Sequence, residues 1–73
     1  NKKFEVIFLD PPYKDNKIKQ LLVSLKEAKV LNDKGIIILH RNKKDNPEFP
    51  EWVNILEEKK YGISKIFFFN FKL

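Results

Sequence analysis

The fold is decided by one continuous stretch, residues 4–39, which reads FEVIFLDPPYKDNKIKQLLVSLKEAKVLNDKGIIIL. Its first six residues, 4–9, form a nearly continuous apolar run that suits a strand buried on both faces of a sheet. Apolar side chains at helical spacing come next, and residues 36–39 form a second run of the same kind. A strand, an amphipathic helix and a strand at this spacing predict a βαβ unit with two parallel strands.

The helix of this unit is predicted to begin near Asp15 or Asn16, because either side chain can cap a helix. Its buried face follows the i, i+3, i+4, i+7 spacing and consists of Ile18, Leu21, Leu22, Leu25 and Ala28. Residues 32–35, Asn-Asp-Lys-Gly, are predicted to end the helix and to form the turn into the second strand.

The second half of the chain is less clear from its pattern. Residues 40–50 are polar, basic and proline-punctuated, which predicts a loop. Residues 52–56 fit a helical face and an alternating strand about equally well. Residues 66–71 are plainly a strand, and Gly62 before them suggests a turn that joins two antiparallel strands.

Composition narrows the class of protein. The 73 residues are 42% hydrophobic and include seven Phe, which excludes a disordered tail and predicts a single folded segment, 1–73. Cysteine is absent and His40 is the only histidine, so no metal site is expected. A net charge of +5 favours an anionic partner such as nucleic acid. The chain has no apolar run long enough for a membrane span, and we expect a cytoplasmic location.

The tetrapeptide Asp10-Pro11-Pro12-Tyr13, hereafter the DPPY motif, follows the first strand, where open α/β sheets bind their ligands. The two prolines stiffen the backbone and donate no N–H, so nearby carbonyls stay available as acceptors. Asp10 adds a charged acceptor, and Tyr13 adds a ring that can stack on a base. These four residues are therefore candidates to hold the exocyclic amino group of a flipped base for chemistry.

A basic cluster follows the second strand and should reach the same edge of the sheet. Arg41, Lys43 and Lys44, together with Lys14 after the motif, are candidate contacts to RNA phosphates. His40 is interpreted as a strand-end residue with satisfied hydrogen bonds.

Residues 4–13 resemble the strand and [D/N]-P-P-[Y/F] motif of S-adenosylmethionine-dependent amino-methyltransferases. The remainder is similar to the C-terminal part of the small-subunit (16S) ribosomal RNA guanine-N2 methyltransferases. The shared features are a glycine and apolar strand at 35–39, a Lys-Lys-Tyr-Gly turn at 59–62 and a final aromatic strand at 64–71. His40 departs from that family, which usually carries an acidic residue there.

The resemblance implies a fold class, α/β. The chain would be a fragment of a Rossmann-like S-adenosylmethionine-dependent methyltransferase domain, a strand-helix-strand unit plus a C-terminal antiparallel β-hairpin. Residues 52–60 would then be a strand that pairs with 64–71. An upstream half-domain would carry most of the cofactor site, and we expect the segment alone to be inactive.

The resemblance also implies a function for the intact protein. That function is methyl transfer from S-adenosylmethionine to the N2 amino group of a guanine, with ribosomal RNA or a small-subunit assembly intermediate as the partner. Asp10, Pro11, Pro12 and Tyr13 would be catalytic, and Asp10 would also lie near the methionine end of the cofactor. Two alternatives remain: an N6-adenine methyltransferase acting on DNA or RNA, and a non-catalytic basic remnant that only binds RNA.

Overall fold

The computed structural model describes residues 3–12 and 14–72, in which one helix and four strands follow one another. In chain order the elements are β1 (Phe4–Leu9), α1 (Asp15–Ala28), β2 (Leu31–Asn42), β3 (Val53–Tyr61) and β4 (Ser64–Phe71). The strands form one sheet in the order β1-β2-β4-β3. β1 and β2 are parallel, whereas β4 runs antiparallel to both β2 and β3. The fold is α/β with a mixed sheet, and both the parallel pair and the terminal hairpin are confirmed.

The two ends of α1 differ from the sequence prediction. The N-cap is Lys14, which makes no side-chain capping bond, and Asp15 lies in the first turn instead. The helix ends at Ala28 because Lys29 adopts a left-handed backbone, with φ 53°, and its N–H donates to the carbonyl of Lys26. The prediction that residues 32–35 form the stop and turn is wrong, since these residues already belong to β2.

The hydrophobic core lies on one face of the sheet, hereafter the helix face. Alternate residues of β2 and β4 point to this face and pack against α1. The fully or nearly fully buried apolar side chains are Ile18, Leu22, Ile37, Leu39, Val53, Phe67 and Phe69. Two of the predicted helix positions, Ile18 and Leu22, are completely buried, whereas Ala28 at the end of the same stripe is exposed.

The loop between β2 and β3 completes the cover of the helix face. The ring of Phe49 lies 5.0 Å from that of Phe67 and 5.4 Å from that of Phe69, both measured between centroids. Trp52 packs edge-on against Phe71 at 5.3 Å. Aromatic pairs at these distances and angles add to the energy of simple burial. The loop is therefore held against the sheet by its aromatic side chains.

The opposite face of the sheet, hereafter the open face, carries an apolar surface that no described element covers. Its side chains are Val6, Phe8, Ile36, Ile38, Ile66 and Phe68, all half-buried or exposed. On β1, Val6 is 58% and Phe8 63% exposed. β1 is also an edge strand, so part of its backbone is available for further pairing.

Gly35 is predicted to be a position where an added methyl group destabilises the fold. A Cβ on Gly35 would lie 2.5 Å from Cδ1 of Leu31 and 2.9 Å from the carbonyl oxygen of Asn32, and the backbone oxygen cannot move aside easily. We expect Gly35→Ala to lower the free energy of unfolding by about 1–3 kcal/mol, measured by urea denaturation.

The matched control for this prediction is Gly62→Asn in the hairpin turn. Gly62 has φ 56° and nothing within 4 Å of a built Cβ, and asparagine tolerates this backbone region. The control should cost less than about 1 kcal/mol. Equal stabilities of Gly35→Ala and the parent chain would refute the steric argument.

Candidate functional site

The carboxyl ends of β1 and β2 meet at one edge of the sheet, hereafter the carboxyl rim. The parallel register places Leu9 beside Leu39, so the next residues, Asp10 and His40, are neighbours across the two strands. An open cleft of about 320 Å³ lies here, and its lining includes Asp10, Pro11, Pro12, Lys14, His40 and Arg41. The structure brings Asp10, Pro11 and Pro12 of the DPPY motif together with the residues at the end of the second strand, as predicted.

Asp10 belongs to a chain of three hydrogen-bonded side chains. Oδ1 of Asp10 lies 3.0 Å from Nδ1 of His40, and Nε2 of His40 lies 2.9 Å from Oγ of Ser64. An ionised carboxylate only accepts, so Nδ1 carries the proton that it donates to Asp10. In the neutral ring Nε2 then accepts from the Ser64 hydroxyl. The Asp10 side chain itself is 61% exposed and faces solvent in the cleft.

Arg41 contacts oxygen atoms from three different segments at the carboxyl rim. Its guanidinium donates to the carbonyl of Pro11 at 3.1 Å and to Oδ1 of Asp15 at 3.0 Å. A second carboxylate, that of Asp45, lies 3.5 Å away. The planar guanidinium suits several oxygen partners at once. Arg41 therefore connects the DPPY motif, the first turn of α1 and the loop after β2.

The loop after β2 is fixed by bonds to these same carboxylates and to β4. The backbone N–H of Asn46 donates to Oδ2 of Asp15 at 2.7 Å. Nζ of Lys65, a lysine only 8% exposed, donates to the carbonyl of Asp45 at 2.8 Å. Both carboxylate oxygens of Asp15 thus accept hydrogen bonds, one from Arg41 and one from Asn46. These bonds explain why Asp15 does not serve as the predicted helix cap.

The described part of the DPPY motif keeps acceptors available to a ligand. Oδ1 of Asp10 accepts from His40, whereas none of the residues that the structure describes donates to Oδ2. The carbonyl of Pro11 accepts from Arg41, and a carbonyl oxygen has a second lone pair. One carboxylate oxygen and one carbonyl lone pair can therefore accept from an amino group at the cleft. Tyr13, the predicted stacking ring, lies outside the described residues.

The predicted RNA-contact residues separate into two groups. Lys14, Lys43 and Lys44 are exposed near the carboxyl rim, where their charges are accessible. Arg41 is only 6% exposed and is committed to Asp15 and Asp45. The structure gives Arg41 a structural role in place of the phosphate contact predicted for it, because its guanidinium faces carboxylates rather than solvent.

Sequence reasoning missed three site residues: Asp15 as an ion-pair partner, Asp45 and Ser64. The sequence did contain one indication that Arg41 forms ion pairs in the buried part of the protein. Ile37, Leu39 and Arg41 alternate along one strand, so Arg41 had to share the buried face of the other two. A buried arginine requires carboxylate partners, which would have directed attention to nearby aspartates. No local pattern distinguishes Ser64.

Neither a metal-binding cluster nor a membrane-spanning helix occurs in the part of the chain that the structure describes. Among residues 3–12 and 14–72, no group of three or more His, Cys, Asp or Glu side chains is arranged to hold a metal ion. The same residues contain no helix that could span a membrane.

The chain is similar in sequence to several known proteins. A family model described as conserved hypothetical protein 95 matches residues 1–70. The chain belongs to this family. A similar relative, the "Putative rRNA methyltransferase YlbH" of Bacillus subtilis (strain 168), is 36% identical over 66 residues, covering 86% of this chain and 35% of that protein. The "Uncharacterized methylase RP545" of Rickettsia prowazekii (strain Madrid E) is 30% identical over 66 residues, covering 90% of this chain and 28% of its own length.

Solved structures show the same architecture. The "putative methylase HI0767" from Haemophilus influenzae superposes with a TM-score of 0.76 at 30% identity, covering 100% of this chain and 46% of that chain. The "Putative methyltransferase yhhF" from Escherichia coli gives 0.77 at 18% identity, covering 99% of this chain and 41% of its own, and supports the fold alone. The chain spans about a third of the curated relatives and less than half of these structures.

Proposed function

We propose that this chain is the C-terminal part of a Rossmann-like S-adenosylmethionine-dependent methyltransferase domain. We further propose that the complete domain methylates the N2 amino group of a guanine in small-subunit ribosomal RNA. The observation that carries the proposal is the exposed Asp10 carboxylate, held by His40 beside the Pro11 carbonyl at the carboxyl rim. The methylase and rRNA methyltransferase names of the relatives support the class of reaction.

The proposed chemistry depends on positioning. The two N–H groups of an exocyclic amine would donate to Oδ2 of Asp10 and to the Pro11 carbonyl, which turns the nitrogen lone pair out of the plane of the base. The nitrogen then forms a bond to the methyl carbon. S-adenosylmethionine, when bound, supplies that methyl group on a positively charged sulfur, which takes the electron pair of the broken bond. The proton that the amine loses passes to solvent.

The chain offers one part of a cofactor site. A carboxylate at an open cleft suits a positively charged sulfonium centre or ammonium group, and Asp10 is such a carboxylate. We propose that an upstream half-domain supplies the rest. The open face and the edge strand β1 are where further strands and helices of such a domain would pack.

An aspartate favours guanine over adenine on chemical grounds. The Watson–Crick edge of guanine presents two neighbouring donors, N1–H and the N2 amine, and Oδ2 of Asp10 has the lone pairs to accept from both. Adenine presents a donor beside an acceptor, which an asparagine side chain would match better. Because residue 10 is an aspartate and not an asparagine, the alternative of an N6-adenine methyltransferase is less favoured than guanine-N2 methylation.

The exposed lysines near the carboxyl rim are proposed to contact RNA phosphates. We predict that the double variant Lys43→Ala/Lys44→Ala weakens RNA binding by the complete domain and lowers the slope of log K against log salt by roughly one to two. The matched control is Lys34→Ala/Lys72→Ala, which removes the same charge from exposed positions at the opposite end of the sheet. Equal salt slopes for the two double variants would contradict the proposed surface.

The experiment that tests the domain proposal is a calorimetric titration with S-adenosylmethionine. It is performed on this chain alone, and on the chain mixed with the upstream half from its parent gene. Binding in the mixture only is expected, because the upstream half is proposed to hold most of the cofactor. A folded mixture that binds RNA in a salt-dependent manner but never binds the cofactor would favour the RNA-binding remnant.

A further inference from the structure

Asp10 lies at the end of a strand with most of its side chain in solvent, so its carboxylate needs an external support to keep one orientation. Its side chain is 61% exposed, while that of His40 is 35% exposed. A free aspartate would exchange among rotamers and present its oxygens in several directions. The bond between Asp10 and His40 removes much of this freedom because the imidazole is itself fixed on its far side by Ser64.

The sheet register explains why these three side chains meet. His40 lies directly beside Ile66 in the antiparallel pair of β2 and β4, and Asn42 lies beside Ser64. Ser64 is thus the diagonal neighbour of His40 on the open face, two residues from its direct partner. Asp10 follows β1 at the level of His40 in the parallel pair. Neighbouring strands of one sheet therefore hold the line Asp10–His40–Ser64 in place.

We propose that His40, oriented by Ser64, is a positioning residue that directs Oδ2 of Asp10 toward the amino group of the substrate. This inference rests on the proposed function. Nδ1–H of His40 occupies Oδ1, which leaves Oδ2 as the oxygen presented to a ligand. Support of this kind by a second hydrogen-bonded side chain is how proteins commonly fix a functional carboxylate or imidazole.

The order Asp–His–Ser also occurs in nucleophilic triads, in which the serine attacks the substrate. Here Asp10 and His40 line the cleft, whereas Ser64 is not among the described residues that line it. Ser64 is half-buried behind His40 at the start of β4. The geometry therefore gives the serine a supporting role and leaves the carboxylate as the group that faces the ligand.

Kinetics of the complete methyltransferase domain test the assignment. His40→Ala is expected to lower kcat for methyl transfer about 10- to 100-fold and to raise KM for S-adenosylmethionine by a smaller factor, since Asp10 is also proposed to face the charged part of the cofactor. His40→Asn, whose amide N–H can replace Nδ1–H, should recover activity to within about fivefold of the parent. Ser64→Ala should lower kcat roughly three- to tenfold, and the exposed helix residue Ser24 offers a control in Ser24→Ala.

A measurement independent of activity separates this inference from the proposed function. In ¹⁵N spectra of the domain, the His40 imidazole, assigned by its loss in His40→Asn, should show the Nδ1–H tautomer. The opposite tautomer, full activity of His40→Ala, or labelling of Ser64 by a fluorophosphonate would overturn the positioning role. A domain with the expected tautomer but no methyl transfer would overturn the proposed function and leave the hydrogen-bond geometry intact.

Discussion

Asp10→Ala is expected to lower the rate of methyl transfer by the complete domain at least about 100-fold, because it removes the charged acceptor that orients the amino group. Stability should change little, since the Asp10 side chain is 61% exposed and its described partner is a half-exposed imidazole. The measurement is the initial rate of methyl incorporation into ribosomal RNA, with thermal unfolding recorded for each variant.

Two further variants test whether the loss of activity is specific to the Asp10 carboxylate. Asp10→Asn keeps the shape, but its amide oxygen would accept from Nδ1–H of His40 and its NH2 group would take the place of Oδ2, so the rate should fall about as far as in Asp10→Ala. Asp33→Ala removes the same charge from an exposed residue near the start of β2, away from the carboxyl rim, and should leave the rate unchanged. An Asp10→Ala variant with more than about a fifth of the parent rate would show that the carboxylate is not the orienting group.

Arg41→Met is expected to cause the largest loss of stability, roughly 2–4 kcal/mol in the free energy of unfolding. The substitution keeps most of the buried volume but leaves two carboxylates without their shared cation and the Pro11 carbonyl without its donor. Arg41→Lys should recover only part of the loss, because a single ammonium cannot reach three oxygens in the way a planar guanidinium does. Urea denaturation provides the measurement.

The control for Arg41 removes the carboxylates as well. In Arg41→Met/Asp15→Asn/Asp45→Asn the charges disappear together, and the loss of stability should be smaller than that of Arg41→Met alone. A single variant as stable as the parent, or a triple variant less stable than the single one, would show that these ion pairs do not hold the carboxyl rim together.

The sequence predicted the parallel pair because its signal is simple. Residues 4–9 and 36–39 are apolar on both faces and flank one amphipathic helix, which leaves little choice of topology. The segment that begins at Trp52 was ambiguous for a physical reason that the structure reveals. β3 is an edge strand in which Val53 is buried and every later residue is exposed, so it lacks the alternation of buried and exposed side chains that is typical of a strand. Its register with β4 also shifts between Ile55 and Glu57.

The candidate site was only partly predictable for a related reason. The DPPY motif and its place after β1 follow from a local pattern, and so does the nearness of the segment after β2. The partners of Arg41 come from α1 and from the loop after β2, and Ser64 comes from β4. These contacts depend on register and loop conformation, which a single sequence does not encode in any short stretch.

The most direct test of the central claim is the identity of the methylated nucleoside. Small-subunit ribosomal RNA is incubated with the complete domain and isotopically labelled S-adenosylmethionine, then digested to nucleosides and analysed by mass spectrometry. The proposal predicts labelled N2-methylguanosine, with its yield abolished in Asp10→Ala. Label in N6-methyladenosine would contradict the assigned base, and the absence of label in any nucleoside from a folded domain would contradict methyl transfer itself.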